Sequence, residues 1–385
     1  MKGQTKQKKI LFIVHHPIED ASSRYRVYQY LPYLEQQGYS CTVRPFSTRW
    51  LFRALRNNGS PIIKAAGLLF CTGRRVLDLC RLRRYDLVVI LREAYPFLTP
   101  LFERVVLSRS KRTVFSFDDA IYVGHDRKKH KYSVLYRFKY GPGVREVIQR
   151  ADLVVAGSRV LAEYARTVNR RVEVVPTVVD TEAYGYREAP EETDRPLTIG
   201  WYGSNSTSPY LAEVVPALTR LAAEYGGKVR FRFFGDTRLQ LDLPNCEVHP
   251  FNLESELADL RSIDIGIMPL TDTPWTRAKC AFKAIQYMAL GIPTVVSPHG
   301  MAGEVIENER NGLHAMNSEE WYEALNRLVL DAGLRKRLGE AGRQTIVENF
   351  SLERWGPEFT AMLESVMSNE RDLPESEASG SLSVG

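Results

Sequence analysis

Residues 275–300 read WTRAKCAFKAIQYMALGIPTVVSPHG, and this stretch decides the fold. A helix from about Lys279 is expected to end at Gly291. Pro293 restarts the chain as a strand of β-branched residues, and Pro298 to Gly300 form a tight loop at the strand's carboxyl end. Lys279, Lys283 and Gln286 follow at i, i+4 and i+7, so they are expected to share one helix face. Such a face at a helix amino terminus, where free N–H groups already favour anions, suits a diphosphate. Two solvated lysines on a surface helix are the alternative.

Outward from this stretch the strand–helix pattern recurs along the whole chain. Lys9 to Val14 is a short apolar run, followed by a helix expected to be capped by Ser22 and Ser23 and to end at Gly38, and then by a strand at Ser40 to Arg44. Further strands are expected at Asp86–Leu91, Thr113–Phe117, Asp152–Ala156 and Val172–Val175. A second series comprises Leu197–Tyr202, Val229–Phe234, Glu247–Pro250, Ile263–Met268 and Pro293–Ser297. Val179 to Pro196, rich in Glu, Thr and Pro, reads as a linker between them.

The fold class is therefore α/β, with two Rossmann-like doubly wound domains facing each other across a cleft that holds the ligand. The first spans 1–180 and the second 195–350. A helix at 351–369, carrying Trp355, Phe359, Met362, Leu363 and Val366, is expected to pack back on the first, and 370–385 reads as a disordered acidic tail.

The 385 residues suit two such domains better than one. Five widely spaced cysteines without a C-x-x-C pair point to reduced thiols in a cytoplasmic protein and offer no metal site. No apolar run of about 18 residues or more is present, and the start of the chain does not read as a signal peptide. The net charge of +6 hides an asymmetry: residues 1–180 hold 33 Lys and Arg against 15 Asp and Glu, and the remainder holds 19 against 31. A half with a net charge of +18 is suited to meet an anion, whether nucleic acid, acidic lipid or a phosphate-bearing substrate. No zinc, helix-turn-helix or RNA-reading motif supports nucleic acid.

Several segments together resemble glycosyltransferase family 4. Gln286-Tyr-Met-Ala-Leu-Gly-Ile-Pro-Thr-Val-Val-Ser297, then Gly300, Gly303-Glu304 and Asn311-Gly312-Leu313, resemble its donor-binding segment. Val175 to Tyr184 is similar to its interdomain motif, and Ile199-Gly-Trp-Tyr-Gly203-Ser204 to the opening of its second domain. The likeness implies a GT-B fold and a retaining transfer of sugar from a nucleotide-sugar donor. The acceptor would be a glycan or lipid-linked molecule of cell-envelope polysaccharide assembly. Together with the spacing of the two lysines, the likeness puts the expected donor site at Gly203, Ser204, Asn205, Lys279, Lys283, Gln286, Gly300 and Glu304. No cofactor or metal is expected, because the nucleotide sugar is a substrate and the leaving diphosphate can itself take the acceptor proton.

The sequence departs from the family at three points. Ala278 and Gln286 stand where the family has two glutamates, Ser204-Asn205-Ser206 where it has a diphosphate-binding Arg and Lys, and Asp118-Asp119 where a loop carries its active-site His. Gln286 retains the capacity to bond a ribose hydroxyl, and Lys279 with Lys283 supply the missing positive charge. We count Asp118, Asp119, Lys279 and Lys283 as the catalytic set. One of the two aspartates would orient an acceptor hydroxyl or the donor sugar; a helix cap with a partner Arg is the other reading.

Ser23, Arg24 and His16 follow the first strand and are the acceptor-side candidates, with Arg26 read as a solvated helix residue. Of the adjacent His15 and His16, at most one is expected in the cleft. Arg49–Arg56 and Ala65–Arg84 mix bulky apolar residues with Arg and Lys. Trp50, Leu51 and Phe52 suggest peripheral contact with an anionic membrane, at the inner face of the cell membrane, and the second segment reads as a core-facing crossover helix. A sugar-nucleotide epimerase and a non-catalytic nucleotide-binding protein are the rival functions.

Overall fold

The computed structural model describes residues 7–56, 60–96, 100–123, 139–187 and 195–368. The first sheet contains Lys9–Val14 (β1), Ser40–Pro45 (β2), Leu87–Leu91 (β3), Thr113–Phe117 (β4), Leu153–Ala156 (β5) and Val172–Val174 (β6). The second contains Leu197–Tyr202 (β7), Val229–Gly235 (β8), Cys246–Pro250 (β9), Ile265–Met268 (β10), Thr294–Val296 (β11) and Leu313–His314 (β12). Their orders are β2-β1-β3-β4-β5-β6 and β12-β11-β10-β7-β8-β9, with every pair parallel. Runs such as LVVIL in β3 are buried throughout because helices cover both faces of a parallel sheet. The order reverses beside β1 and again beside β7, and at such points the loops leaving the carboxyl ends diverge and open a crevice.

One apolar cluster runs from the first domain into the second, joining Phe117, Ala156 and Leu161 to Ala278, Ala284 and Tyr287. Ser158 Oγ donates to the Ala278 carbonyl at 3.1 Å, and a Cβ on Gly157 would come within 2.6 Å of Cys280 Sγ. The beginning of the expected linker is structured: Val179 bridges Ser351, Asp180 caps the short helix Thr181–Tyr184, and Tyr184 is buried. Residues 188–194 of that linker, and the expected tail at 370–385, lie outside the described residues.

The terminal helix Leu352–Ser368 crosses to the first domain, where Phe359, Leu363 and Val366 join the cluster around Ile10, Phe12 and Val89. The Phe359 ring lies 4.6 Å from that of Tyr30. Among the described residues no helix is long and apolar enough to cross a membrane.

Four local expectations are corrected. The helix after β1 is broken into Ala21–Arg26, a single turn at Tyr28–Tyr30, and Leu31–Gln36, and its first piece is capped by Asp20, whose carboxylate accepts from Ser23 N at 3.1 Å. Ser22 and Ser23 are thereby released for other bonds. Arg26 is buried, donating to the Val175 carbonyl and, at 3.3 Å, to Ser116 Oγ. The stretch around Trp50, read as a membrane contact, is the helix Arg49–Arg56, with Leu51 and Phe52 packed inward. Finally, the helix expected from about Lys279 begins only at Phe282 and runs to Ala289; Lys279 lies in the turn that follows the short helix Pro274–Arg277, and Ala281 stands at φ +51°.

Candidate functional site

The carboxyl end of β4 delivers Asp118 and Asp119 to the cleft, and β3 delivers Arg92 beside them. Arg92 Nε donates to Asp118 Oδ1 and Arg92 Nη2 to Asp119 Oδ2, both at 2.5 Å. Arg92 holds a left-handed backbone at φ +62°, a conformation that costs a non-glycine residue about 1 kcal/mol or more and recurs at functional sites. Ser22 Oγ donates to Asp118 Oδ2 at 2.7 Å. Burial pushes the Asp118 carboxyl up, but Arg92 beside it outweighs that and holds it below the ordinary range. Asp118 is thus committed to Arg92 and Ser22, whereas Asp119 also faces Lys279 Nζ across the cleft at 3.4 Å.

Lys279 and Lys283 do not share a helix face, because the left-handed turn at Ala281 separates them, yet both reach the same opening. The helix Phe282–Ala289 begins without a side-chain cap, so its first N–H groups are open to an anion. The Lys283 ammonium makes no ion pair among the described residues and lies 5.7 Å from the centre of the Trp201 ring. Burial, and then the neighbouring Lys279 charge, push it down to about 7 against the pull of Asp119.

Gly203 belongs here for a steric reason. A Cβ on it would stand 2.3 Å from the Trp201 ring and 2.7 Å from Lys283 Cε, and one on Gly235, at φ +111°, would stand 1.7 Å from the Gly203 carbonyl oxygen. Tyr287 ties the helix to β7 by accepting from Tyr202 N at 2.8 Å.

Below the lysines lies a buried polar junction between the domains. Arg24 Nη2 donates to both oxygens of Glu256, at 2.8 and 2.7 Å. Gln286 Nε2 donates to Tyr184 Oη at 2.8 Å and to Glu256 Oε1 at 3.3 Å, and Tyr25 and Tyr184 share a hydroxyl–hydroxyl bond of 2.8 Å. Gln286 is 2% exposed. Burial raises the Glu256 carboxyl, opposed by Arg24 and Gln286. The cavity of about 270 Å³ above this junction is lined by Gly203, Ser204, Glu256, Lys279, Lys283 and Gln286 among others, so most of the expected donor set converges there.

Other candidates distribute around it. Asn205 lines a wider cavity of about 700 Å³ with Arg49, Phe52, Asp236 and Phe251. Both histidines line a third cavity of about 300 Å³ with Asp119 and Lys279, contrary to the expectation that only one would; β1 ends at Val14, so strand alternation no longer applies to them. His15 pairs through Nδ1 with Glu93, and His16 Nδ1 meets Ser47 Oγ at 2.9 Å. Ser23 also lines this cavity and donates to the His16 carbonyl at 2.8 Å.

Gly300, at φ +58°, packs on the Arg277 carbonyl, where a Cβ would stand 1.9 Å away. Glu304 faces Arg159 at 3.7 Å, 44% exposed and apart from the residues lining these cavities. Sequence reasoning missed Arg92, Glu93, Glu256 and the Tyr25–Tyr184 pair. For Arg92 and Glu93 a signal existed, since they directly follow a strand; Glu256 sits on an ordinary-looking surface helix. Among the described residues no group of three or more His, Cys, Asp or Glu could hold a metal ion.

Residues 196–331 match the family model described as glycosyl transferases group 1. No curated protein matches the sequence. A glycosyltransferase from Rickettsia africae superposes with a TM-score of 0.64 at 15% identity, over 94% of this chain and 100% of that one. Sucrose-phosphate synthase from Thermosynechococcus elongatus gives 0.67 at 13% over 94% and 100%. Anabaena HepE, in complex with UDP and glucose, gives 0.60 at 15% over 93% and 100%. Domain match and fold define the class: a glycosyltransferase of GT-B architecture.

Proposed function

We propose that the chain transfers a sugar from a nucleotide-sugar donor to a glycan or lipid-linked acceptor, with retention at the anomeric carbon, in the cytoplasmic assembly of a cell-envelope polysaccharide. The observation that carries this reading is the uncapped helix start at Phe282 flanked by Lys279 and by Lys283, which has no ion pair among the described residues. A diphosphate there gains charge as the glycosidic bond breaks, and fixed positive charge with aimed N–H groups lowers that barrier. The leaving oxygen takes the proton of the incoming hydroxyl on the same face, so no enzymic nucleophile is required.

The ribose hydroxyls fall near Glu256, a carboxylate that supplies the acceptor lost where Gln286 replaces glutamate. Asp119, paired with Arg92 and Lys279, faces the cavity shared with His15 and His16, where the acceptor hydroxyl would enter. Lysines do the work of a metal in this arrangement, and activity should survive chelation by EDTA. That HepE is described with UDP and with UDP-glucose supports a nucleoside-diphosphate donor.

A thermal-shift panel of UDP, GDP, ADP, CMP and their sugar conjugates tests the reading. One diphosphate class should raise the melting temperature, and that rise should vanish in Lys279→Ala and Lys283→Ala proteins. No rise with any nucleotide would refute a donor site; proton NMR of the first product made would decide retention against inversion.

A further inference from the structure

The helix Pro61–Leu79 presents two different apolar faces. One is turned inward: Gly67 and Cys71 are buried, and a Cβ on Gly67 would come within 2.6 Å of the Trp50 ring. Arg75, 1% exposed, donates to the carbonyls of Val14 at 3.2 Å and Arg44 at 3.1 Å, which pins the helix to the carboxyl ends of β1 and β2, the sheet edge that faces the cleft. The other face is turned to solvent. Ile62 is 80% exposed, Ile63 51%, Leu69 76%, Phe70 57%, Val76 47% and Leu77 57%. With Ala66 and Gly73 between them these residues recur every three or four positions, which is one continuous helical stripe. Trp50, at 45%, and Leu55, at 42%, extend the apolar exposure onto the adjoining helix Arg49–Arg56. Contiguous exposed apolar surface of this kind marks a docking site.

Its surroundings define the partner. Residues 46–85 hold nine Lys and Arg against one acidic residue, Asp78. That single carboxylate is turned inward, paired with Arg44 and Arg75 at 3.5 Å each. Arg53, Arg81, Arg83 and Arg84 are exposed around the stripe.

We propose that this face rests in the headgroup layer of an anionic bilayer, with Leu69 and Phe70 at the centre of the inserted stripe and the arginines on lipid phosphates. A second copy of the chain would match the apolar stripe but bring one arginine-rich surface against another, with no exposed acid among the described residues of 46–85 to pair with them. The helix lies along the surface and does not cross, since Lys64, Arg74, Arg75 and Asp78 leave it too charged to span. Docked this way, the neighbouring exposed Arg49 and Arg53, which line the cavity of about 700 Å³, lie close to the bilayer, and a lipid-linked acceptor could enter without leaving it. The sequence alone places the membrane contact at Trp50, Leu51 and Phe52 and reads this helix as a core-facing crossover; of those three only Trp50 is exposed, and the larger apolar surface lies on the helix.

Membrane docking is separable from sugar transfer and is tested by co-sedimentation of the full chain with vesicles of phosphatidylcholine alone and of phosphatidylcholine with phosphatidylglycerol, at low and high salt. Binding is expected only to the anionic vesicles, weakened by salt and reduced about tenfold or more in a Leu69→Ser, Phe70→Ser protein. Both positions are exposed, so the variant should melt as the parent does and keep its nucleotide-induced thermal shift. That shift reports on the donor site, so the two readings fail separately. Absence of vesicle binding, or equal binding by parent and variant, would overturn the proposal. So would a parent dimer that the variant abolishes, which would assign the stripe to self-association.

Discussion

Arg24 of the first domain and Glu256 of the second meet through two hydrogen bonds of 2.8 and 2.7 Å, at the floor of the cleft. The pair is largely buried, with side chains 12% and 10% exposed, and it joins the domains without a covalent tie. Removing the cation leaves a buried carboxylate beside Gln286 and two tyrosines. We expect Arg24→Ala to lose about 3 kcal/mol in urea unfolding. Glu256→Gln strands the guanidinium instead, but keeps an amide oxygen to accept from it, and Arg24 also donates to the Ile18 carbonyl at 2.9 Å, so this change should lose less. Equal losses would show that the uncompensated charge costs as much on either side.

Lys283 gives a pH dependence whose sign follows from its surroundings. Its free ammonium titrates at about 7, so near pH 8 most of it is neutral. A bound diphosphate restores the charge, so binding takes up a proton and affinity falls as pH rises above about 7. Calorimetry of nucleoside diphosphate binding in phosphate and in Tris buffer at pH 8 should show this uptake in the parent and its loss in Lys283→Arg, which stays charged throughout. In folding the same depression acts the other way: the uncharged form is favoured in the folded state, so the penalty is full below about pH 7 and is relieved as pH rises toward the ordinary value of 10.5.

Asp119 is expected to matter for turnover more than for donor binding, because it faces Lys279 and the cavity holding His15, while Arg92 secures it. Asp119→Asn should lower kcat about a hundredfold with little change in nucleotide Kd. A loss confined to Kd would move Asp119 from the reacting centre to the donor site.

The strands were legible because a buried parallel strand is a short run of β-branched and aromatic residues bounded by Gly, Pro or charge. Thr113–Phe117 and Leu197–Tyr202 match residue for residue. The two-residue strand Leu313–His314 carries no such run and was missed. The break at Ala281 was invisible, since alanine favours helix and the turn packs in contacts distant in sequence; Cys280 Sγ, for example, meets the Asp118 carbonyl at 3.3 Å. The Lys279–Lys283 pair was nevertheless found, because both side chains converge by a different path. Arg26 and Glu256 were misread or missed for a common reason: a charged residue on a helix looks solvated until its partners, 149 and 232 positions away, are known.

Two glycines separate backbone demand from space. Gly235→Ala combines φ +111° with a Cβ 1.7 Å from the Gly203 oxygen, and we expect a loss of about 3 kcal/mol or more, whereas Gly227→Ala, with nothing within 4 Å, should be close to neutral. Thermal melts of the two proteins decide the comparison, and a mild Gly235→Ala would mean that the loop at Gly203 yields.

The central claim, that Lys279 and Lys283 at the open helix start hold a donor diphosphate, is tested most directly by calorimetric titration of the preferred nucleoside diphosphate and its monophosphate against parent and Lys279→Ala, Lys283→Ala protein. The account predicts that the parent binds the diphosphate about tenfold tighter or more, a gain of about 1.4 kcal/mol from the second phosphate, and that the double variant loses the preference. Equal affinity for the two nucleotides in the parent, or a preference that survives in the double variant, would contradict it.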